Sequence, residues 1–173
     1  MKKIKLPIIF FAVIAFITAC LKVERVPEIP SIEFTSFEIL DTTEVHLGNR
    51  VKAGKLRFRF EDDGDFGLDP QSPADAYNLK LTLYRKIGGV MQPVTDSDPL
   101  LPLHAYRVPY LEKIGQSKVL RGEIIISMLY QFYNPNPADT IKYDFFIIDR
   151  AGNHSNIEET AEIVVAKNDI YKK

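Results

Sequence analysis

From Ser31 onward the apolar residues recur at every second position, and no window of a dozen residues sustains a helical period. Side chains that alternate in this way lie on opposite faces of an extended strand, so the pattern commits the chain to half-buried β-structure. Lys55-Leu56-Arg57-Phe58-Arg59-Phe60 shows it most cleanly, with Leu56, Phe58 and Phe60 on one face and three cations on the other. Leu79, Leu81 and Leu83 alternate in the next such run, and Ala161, Ile163 and Val165 close the series. Ile141, Tyr143, Phe145 and Ile147 alternate as well, with Phe146 and Ile148 on the other face, which predicts a central strand. Ile32 and Phe34 are followed by Phe37 and Ile39 in the opposite phase, and this change predicts a bulge or sheet switch near Ser36.

Turn signals separate these runs: Leu47-Gly48-Asn49, Asp63-Gly64-Asp65, Gly88-Gly89, Asn134-Pro135-Asn136-Pro137 and Ala151-Gly152-Asn153. About seven strands over some 135 residues predict an all-β, antiparallel two-sheet sandwich over 31–166, with a small barrel as the alternative. The prolines at 102 and 109 make Leu100–Gly115 an edge strand or a loop.

The first thirty residues have a different character. Lys2, Lys3 and Lys5 precede an apolar run, Leu6 to Thr18, that is shorter than the roughly 20 residues of a membrane span. Ile17-Thr18-Ala19-Cys20 resembles the lipobox of bacterial lipoproteins, which implies cleavage of a signal peptide (1–19) and acylation of Cys20. The alternatives are an unlipidated secretory signal or an anchor helix, with a free thiol at Cys20. Removal of 1–19 leaves 154 of the 173 residues, one domain, with 19 basic and 23 acidic side chains, a charge of −4. That weak acidity argues against nucleic-acid binding, which needs a basic stripe. Cys20 is the sole cysteine, so packing holds the domain without an internal disulfide. Residues 20–30, rich in charge and proline, read as a tether able to reach about 30 Å at roughly 3.3 Å per residue. Residues 167–173 read as a tail. Leu21 after Cys20 is compatible with outer-membrane sorting, with the leaflet undecided.

Asp139-Thr140-Ile141-Lys142-Tyr143-Asp144-Phe145 is similar to the strand F signature of immunoglobulin-like domains. That resemblance implies a corner tyrosine at Tyr143 and Phe145 in place of the disulfide cysteine. Asp149-Arg150-Ala151-Gly152-Asn153-His154-Ser155 resembles the F–G hairpin turn of bacterial immunoglobulin-like and fibronectin type III-like repeats. Asp63-Gly64-Asp65-Phe66-Gly67 resembles a turn in many small envelope lipoproteins, a likeness that implies location and fold without activity.

Glu61, Asp62, Asp63, Asp65 and Asp69 put five carboxylates within nine residues. In an immunoglobulin-like sandwich, strand B ending at Phe60 places them beside Asp149 and Asn153. Two readings stand for Asp62, Asp63, Asp65, Asp69 and Asp149: a discontinuous calcium site, since this cation takes 6–8 oxygens, or a solvated loop whose aspartates cap turns. The same topology predicts that the tether enters at this acidic end and that the C-terminal tail points away from it.

His46, His104 and His154 are far apart and show no metal-ligand spacing. Motifs for a nucleophile elbow, a zinc protease or a phosphate loop are absent from the sequence. Tyr106, Tyr110, Tyr130, Phe132 and Tyr133 form either a rim for glycan or protein recognition or part of the core. Asn153-His154-Ser155 fits the eukaryotic glycosylation sequon, idle in a bacterium, and Asp139-Thr140-Ile141 resembles a bacterial O-glycosylation acceptor. Taken together, the sequence suggests a lipid-anchored, non-enzymatic envelope module with a protein or glycan partner. A calcium-stabilised carbohydrate-binding lipoprotein is the second reading, and a small envelope hydrolase the third.

Overall fold

The computed structural model describes residues 28–46, 48–94, 104–112, 119–130 and 139–173. Cys20 and its lipobox, most of the tether, the Asn134–Pro137 turn, Phe132 and Tyr133 lie outside them.

Among the described residues ten strands follow one another: β1 (Ser31–Thr43), β2 (Arg50–Asp62), β3 (Leu79–Ile87), β4 (Val90–Pro93), β5 (Ala105–Tyr106), β6 (Leu120–Tyr130), β7 (Thr140–Ile147), β8 (Glu158–Glu159), β9 (Ile163–Val164) and β10 (Asp169–Lys172). They form two antiparallel sheets, one ordered β10-β1-β2-β6 and the other β4-β3-β7-β8, with β5 also on β3 and β9 also on β7. Lettered in chain order, A, B and E face G, F, C and C′, the strand distribution of an immunoglobulin-like sandwich. The expected β-sandwich is therefore the observed architecture.

The alternation that built the strands also builds the core. Leu56, Phe58 and Phe60 of β2 and Leu79, Leu81 and Leu83 of β3 are all buried, and they meet Ile141, Tyr143, Phe145 and Ile147 of the central β7. Phe145 sits in the middle, with ring centroids 5.4 Å from Phe58 and 6.4 Å from Phe34. An aromatic cluster thus occupies the space between the sheets that a disulfide bridges in antibody domains. Tyr143 stacks on Phe37, and its hydroxyl shares a buried 3.1 Å hydrogen bond with that of Tyr130. The phase change in β1 is a bulge: the register with β2 shifts between Phe34 and Ser36, which keeps Ile32, Phe34, Phe37 and Ile39 all facing inward.

Two expectations need correction. The segment 167–173 is no tail: Asp169–Lys172 is β10, paired with Ser36–Ile39 of β1, and it runs back toward the Ser31 end. Alternation over Ile170 and Tyr171 was too short to read, yet Tyr171 packs against the core and donates to the Val164 carbonyl at 3.1 Å. The expected last strand through Ala161, Ile163 and Val165 is broken into β8 and β9. Between them Thr160 Oγ1 accepts the Tyr143 amide at 3.0 Å, and before β8 Ser155 Oγ accepts the Ile147 amide at 3.0 Å. Side chains here complete the ladder that a continuous strand would supply.

Candidate functional site

One pole of the sandwich gathers the acidic loop, the β7–β8 turn and the described end of the tether. Ser31 is the register partner of Glu61, and Asn153 Nδ2 donates to the Glu28 carbonyl at 3.1 Å. Glu28 and the acidic loop therefore share an end, as the immunoglobulin-like topology predicts. β2 continues two residues past the expected Phe60, so Glu61 and Asp62 still belong to the strand.

The β7–β8 turn is built by the residues of its motif. Asp149 accepts the Asn153 amide through Oδ1 at 2.8 Å and Asn153 Nδ2 through Oδ2 at 2.9 Å. Gly152 supplies the left-handed backbone that closes the loop, at φ 88°. Ser155 of the glycosylation sequon is buried and already bonded to β7.

The β2–β3 loop is shaped by its own carboxylates and by a plug. Asp62 Oδ2 accepts the Gly64 amide at 2.9 Å, and Asp63 Oδ1 accepts the Asp65 amide at 3.3 Å. Phe66 is fully buried and stacks on Phe60 with centroids 4.0 Å apart. Gly67 has φ 87° and lies so close to Pro109 that a Cβ would overlap its carbonyl oxygen. The 104–112 segment is thereby held against the loop, with the Leu68 amide on the Val108 carbonyl at 2.9 Å.

Among these carboxylates stands a cation that sequence reasoning treated only as a motif spacer. Arg150 donates through one terminal nitrogen to Asp65 Oδ1 at 2.9 Å and to the Gly64 carbonyl at 3.1 Å. Its Nε lies 3.8 Å from Asp69, and its guanidinium carbon sits 4.5 Å above the Tyr110 ring. Burial works against its charge, but the bond to Asp65 and the charges of Asp65 and Asp69 outweigh it and hold the group further in its charged form. Arg150 thus ties three loops together with the planar fork that suits carboxylates and aromatic faces. The available signal was a single arginine in a turn that topology places beside five carboxylates.

The candidate calcium ligands are therefore distributed over different tasks. Asp65 and Asp69 face Arg150, Asp149 holds Asn153, and Asp63 caps a turn. Asp62 differs from them: it is 0% exposed and its Oδ1 has no hydrogen-bond partner. Burial raises its pKa, opposed by the Gly64 amide and reinforced by the nearby charges of Asp63 and Asp149. Among the described residues no group of three or more His, Cys, Asp or Glu side chains is arranged to hold a metal ion.

The aromatic residues divide similarly. Tyr130 is core, and Tyr106 is half-buried, its hydroxyl pushed up to about 12 by burial. Tyr110 is partly exposed but lies under Arg150. Of the histidines, His154 stacks on Phe146 at 5.3 Å. A shallow depression of about 420 Å³ opens beside the pole, lined by Glu33, Arg59, Glu61 and Arg121 around Phe60 and Gly122. Its charges are paired, Arg121 with Glu61 at 2.9 Å and Arg59 with Glu33 at 3.8 Å. No family model matches the chain, and no curated protein or solved structure matches it either.

Proposed function

We propose that this chain is a lipid-anchored protein of a bacterial cell envelope, acylated at Cys20, whose sandwich serves as a non-enzymatic binding or assembly module for a protein or glycan partner. The observation that carries this reading is the docking of Glu28 on the β7–β8 turn beside Ser31. A chain leaving Glu28 toward Cys20 departs from one pole, so an anchor there leaves the far pole and both sheet faces for a partner. Asp63, Asp65, Asp149 and Asn153 at the tether pole make fold-bearing bonds, which favours a spacer role for that end over a catalytic one.

The test is metabolic labelling with a palmitate analogue in a bacterial host, with the full chain beside Cys20→Ala. The parent chain should carry label and sediment with membranes, and the variant should lose both properties. Equal labelling of the two, or a soluble parent chain, refutes the anchor.

A further inference from the structure

A sheet edge offers unpaired backbone groups to any passing strand, and folded proteins blunt such edges. Among the described residues, this sandwich blunts three of its four. The β1 edge is covered along Ser36–Ile39 by β10, itself an edge strand of only four residues that carries Asp169 and Lys172. Beyond the bulge, Asn156 stands in for a strand: its Oδ1 accepts the Ile32 amide at 2.8 Å and its Nδ2 donates to the Ile32 carbonyl at 2.9 Å. Glu158 accepts the next outward amide, that of Phe34, at 3.1 Å. In the other sheet, β4 is four residues long and ends in Pro93, while β8 and β9 are two residues each.

β6 is treated differently. It runs eleven residues, Leu120–Tyr130, and β2 is its one strand partner among the described residues. Ile124 to Tyr130 contains no charged residue, proline or glycine. Its register with β2 advances without a bulge, and on the outer face Ile125 and Leu129 are 47% and 44% exposed. Among the described residues, the segment 124–129 carries no charge, proline, glycine or bulge that would protect it against edge-to-edge pairing.

We infer that the β6 edge pairs antiparallel with β6 of a second copy of this chain, about a two-fold axis at Ser127, joining two four-stranded sheets into one of eight. The sequence selects the occupant and the register. With Ser127 opposite Ser127 of the second copy, Ile125 faces Leu129 on both sides of the axis, and Ile126 faces Met128 on the inner face. Each exposed apolar side chain of the strand then meets an apolar one, and no like charges are opposed in the paired segment. An axis at Ile125 instead leaves Leu129 against Arg121. Because the remaining edges are blunted, the contact closes as a dimer rather than growing into a fibre. The two Leu120 ends lie roughly 14 residues apart along the joined strands, about 46 Å, so the two tethers enter at opposite ends of the sheet.

The inference is independent of the anchoring reading, and cross-linking tests it on the full chain. Ser127→Cys places two thiols across the axis, with Cα atoms about 4.5–5.5 Å apart, within disulfide range. Purified in detergent and mildly oxidised, this variant should form a disulfide dimer at least ten times faster than Glu123→Cys, whose thiols lie far apart in this register. Adding Leu129→Lys to Ser127→Cys should abolish that advantage, while a melt confirms the fold. The parent chain measures any dimer made through an unacylated Cys20, which bears on the anchor alone. Absence of a Ser127→Cys dimer, as when a segment of the same chain covers the edge, overturns the inference. Equal cross-linking at positions 123 and 127, or yield unaffected by Leu129→Lys, overturns it too.

Discussion

Asp62 is the carboxylate of the acidic pole that the fold leaves buried with an oxygen lacking a hydrogen-bond partner, so Asp62→Asn should stabilise the protein. The side chain is fully buried, Oδ2 accepts the Gly64 amide, and Oδ1 accepts nothing. A buried acceptor without a partner costs about 1–3 kcal/mol. Asparagine keeps an oxygen for Gly64, but a neutral acceptor makes a bond weaker than a carboxylate does by about 1 kcal/mol. Its amide replaces the orphaned oxygen with a donor in the neighbourhood of the Asp149 carboxylate, whose charge opposes that of Asp62 in the native chain. The balance is a gain of about 1 kcal/mol near pH 8, or about 2–4 °C in Tm for a protein of this size.

The pH dependence gives the sharper test. Asp62 has its folded pKa raised above the ordinary 3.8, so its contribution favours the fold below that value and is lost as pH rises through the raised one. The advantage of Asp62→Asn should therefore vanish near pH 3.5 and grow through the range above it, as measured by urea denaturation of both proteins from pH 3.5 to 8 with a chelator present. A variant less stable than the parent at pH 8, with a deficit that grows as pH rises through the carboxylate range, refutes the reasoning. It would mean that the carboxylate is wanted charged, as a cation ligand would be.

Arg150→Ala should cost about 2 kcal/mol through the lost bonds to Gly64 and Asp65 and the Tyr110 stack. The freed carboxylates should then give this variant a Tm that rises with millimolar calcium, and thermal melts should show no such rise in the parent. Gly67→Ala meets both a φ of 87° and the Pro109 carbonyl, and should cost about 3 kcal/mol or more, whereas Gly88→Ala, with φ 59° and open space, should cost about 1 kcal/mol in the same denaturant series. Asn156→Ala removes both bonds to Ile32, and the Ile32 amide should exchange with solvent at least ten-fold faster while amides at the centre of β2 do not change.

What could be read from the sequence was what lies close together along it. The β1 bulge was legible because a local change of phase is the only way to keep Phe34 and Phe37 both inside. The β7–β8 turn was legible because Asp149, Gly152 and Asn153 build it within five residues. Asn156 and Ile32 are 124 positions apart, and nothing in either residue's neighbourhood announces that an amide side chain will take the place of a strand. β10 escaped for a related reason: four residues carry too little alternation to separate a strand from a tail, and only the β1 edge makes them one. Arg150 was hidden by the opposite error, in which the carboxylates were read either as a set for an external cation or as a solvated loop, and a cation of the chain itself was not considered. The same topology that brought them beside Asp149 had to bring its neighbour Arg150 as well.

These long-range features share a direction. Asn156, Glu158 and β10 all cover the β1 edge, and their donors and acceptors come from the last eighteen residues of the chain. A chain that stops before residue 156 would lose β8 and β9 from β7 as well as the cover of β1, presenting open edges at β1 and β7 beside that of β6, and sheets with open edges on both sides can extend in both directions. The C-terminal segment therefore does more than add contacts to the core: among the described residues it covers the β1 edge, and the inferred pairing through β6 depends on that cover. Truncation before Asn156 should convert a closed dimer into larger assemblies, seen by light scattering at matched concentration. Truncated protein that stays as small as the parent would show that the β1 edge needs no such cover.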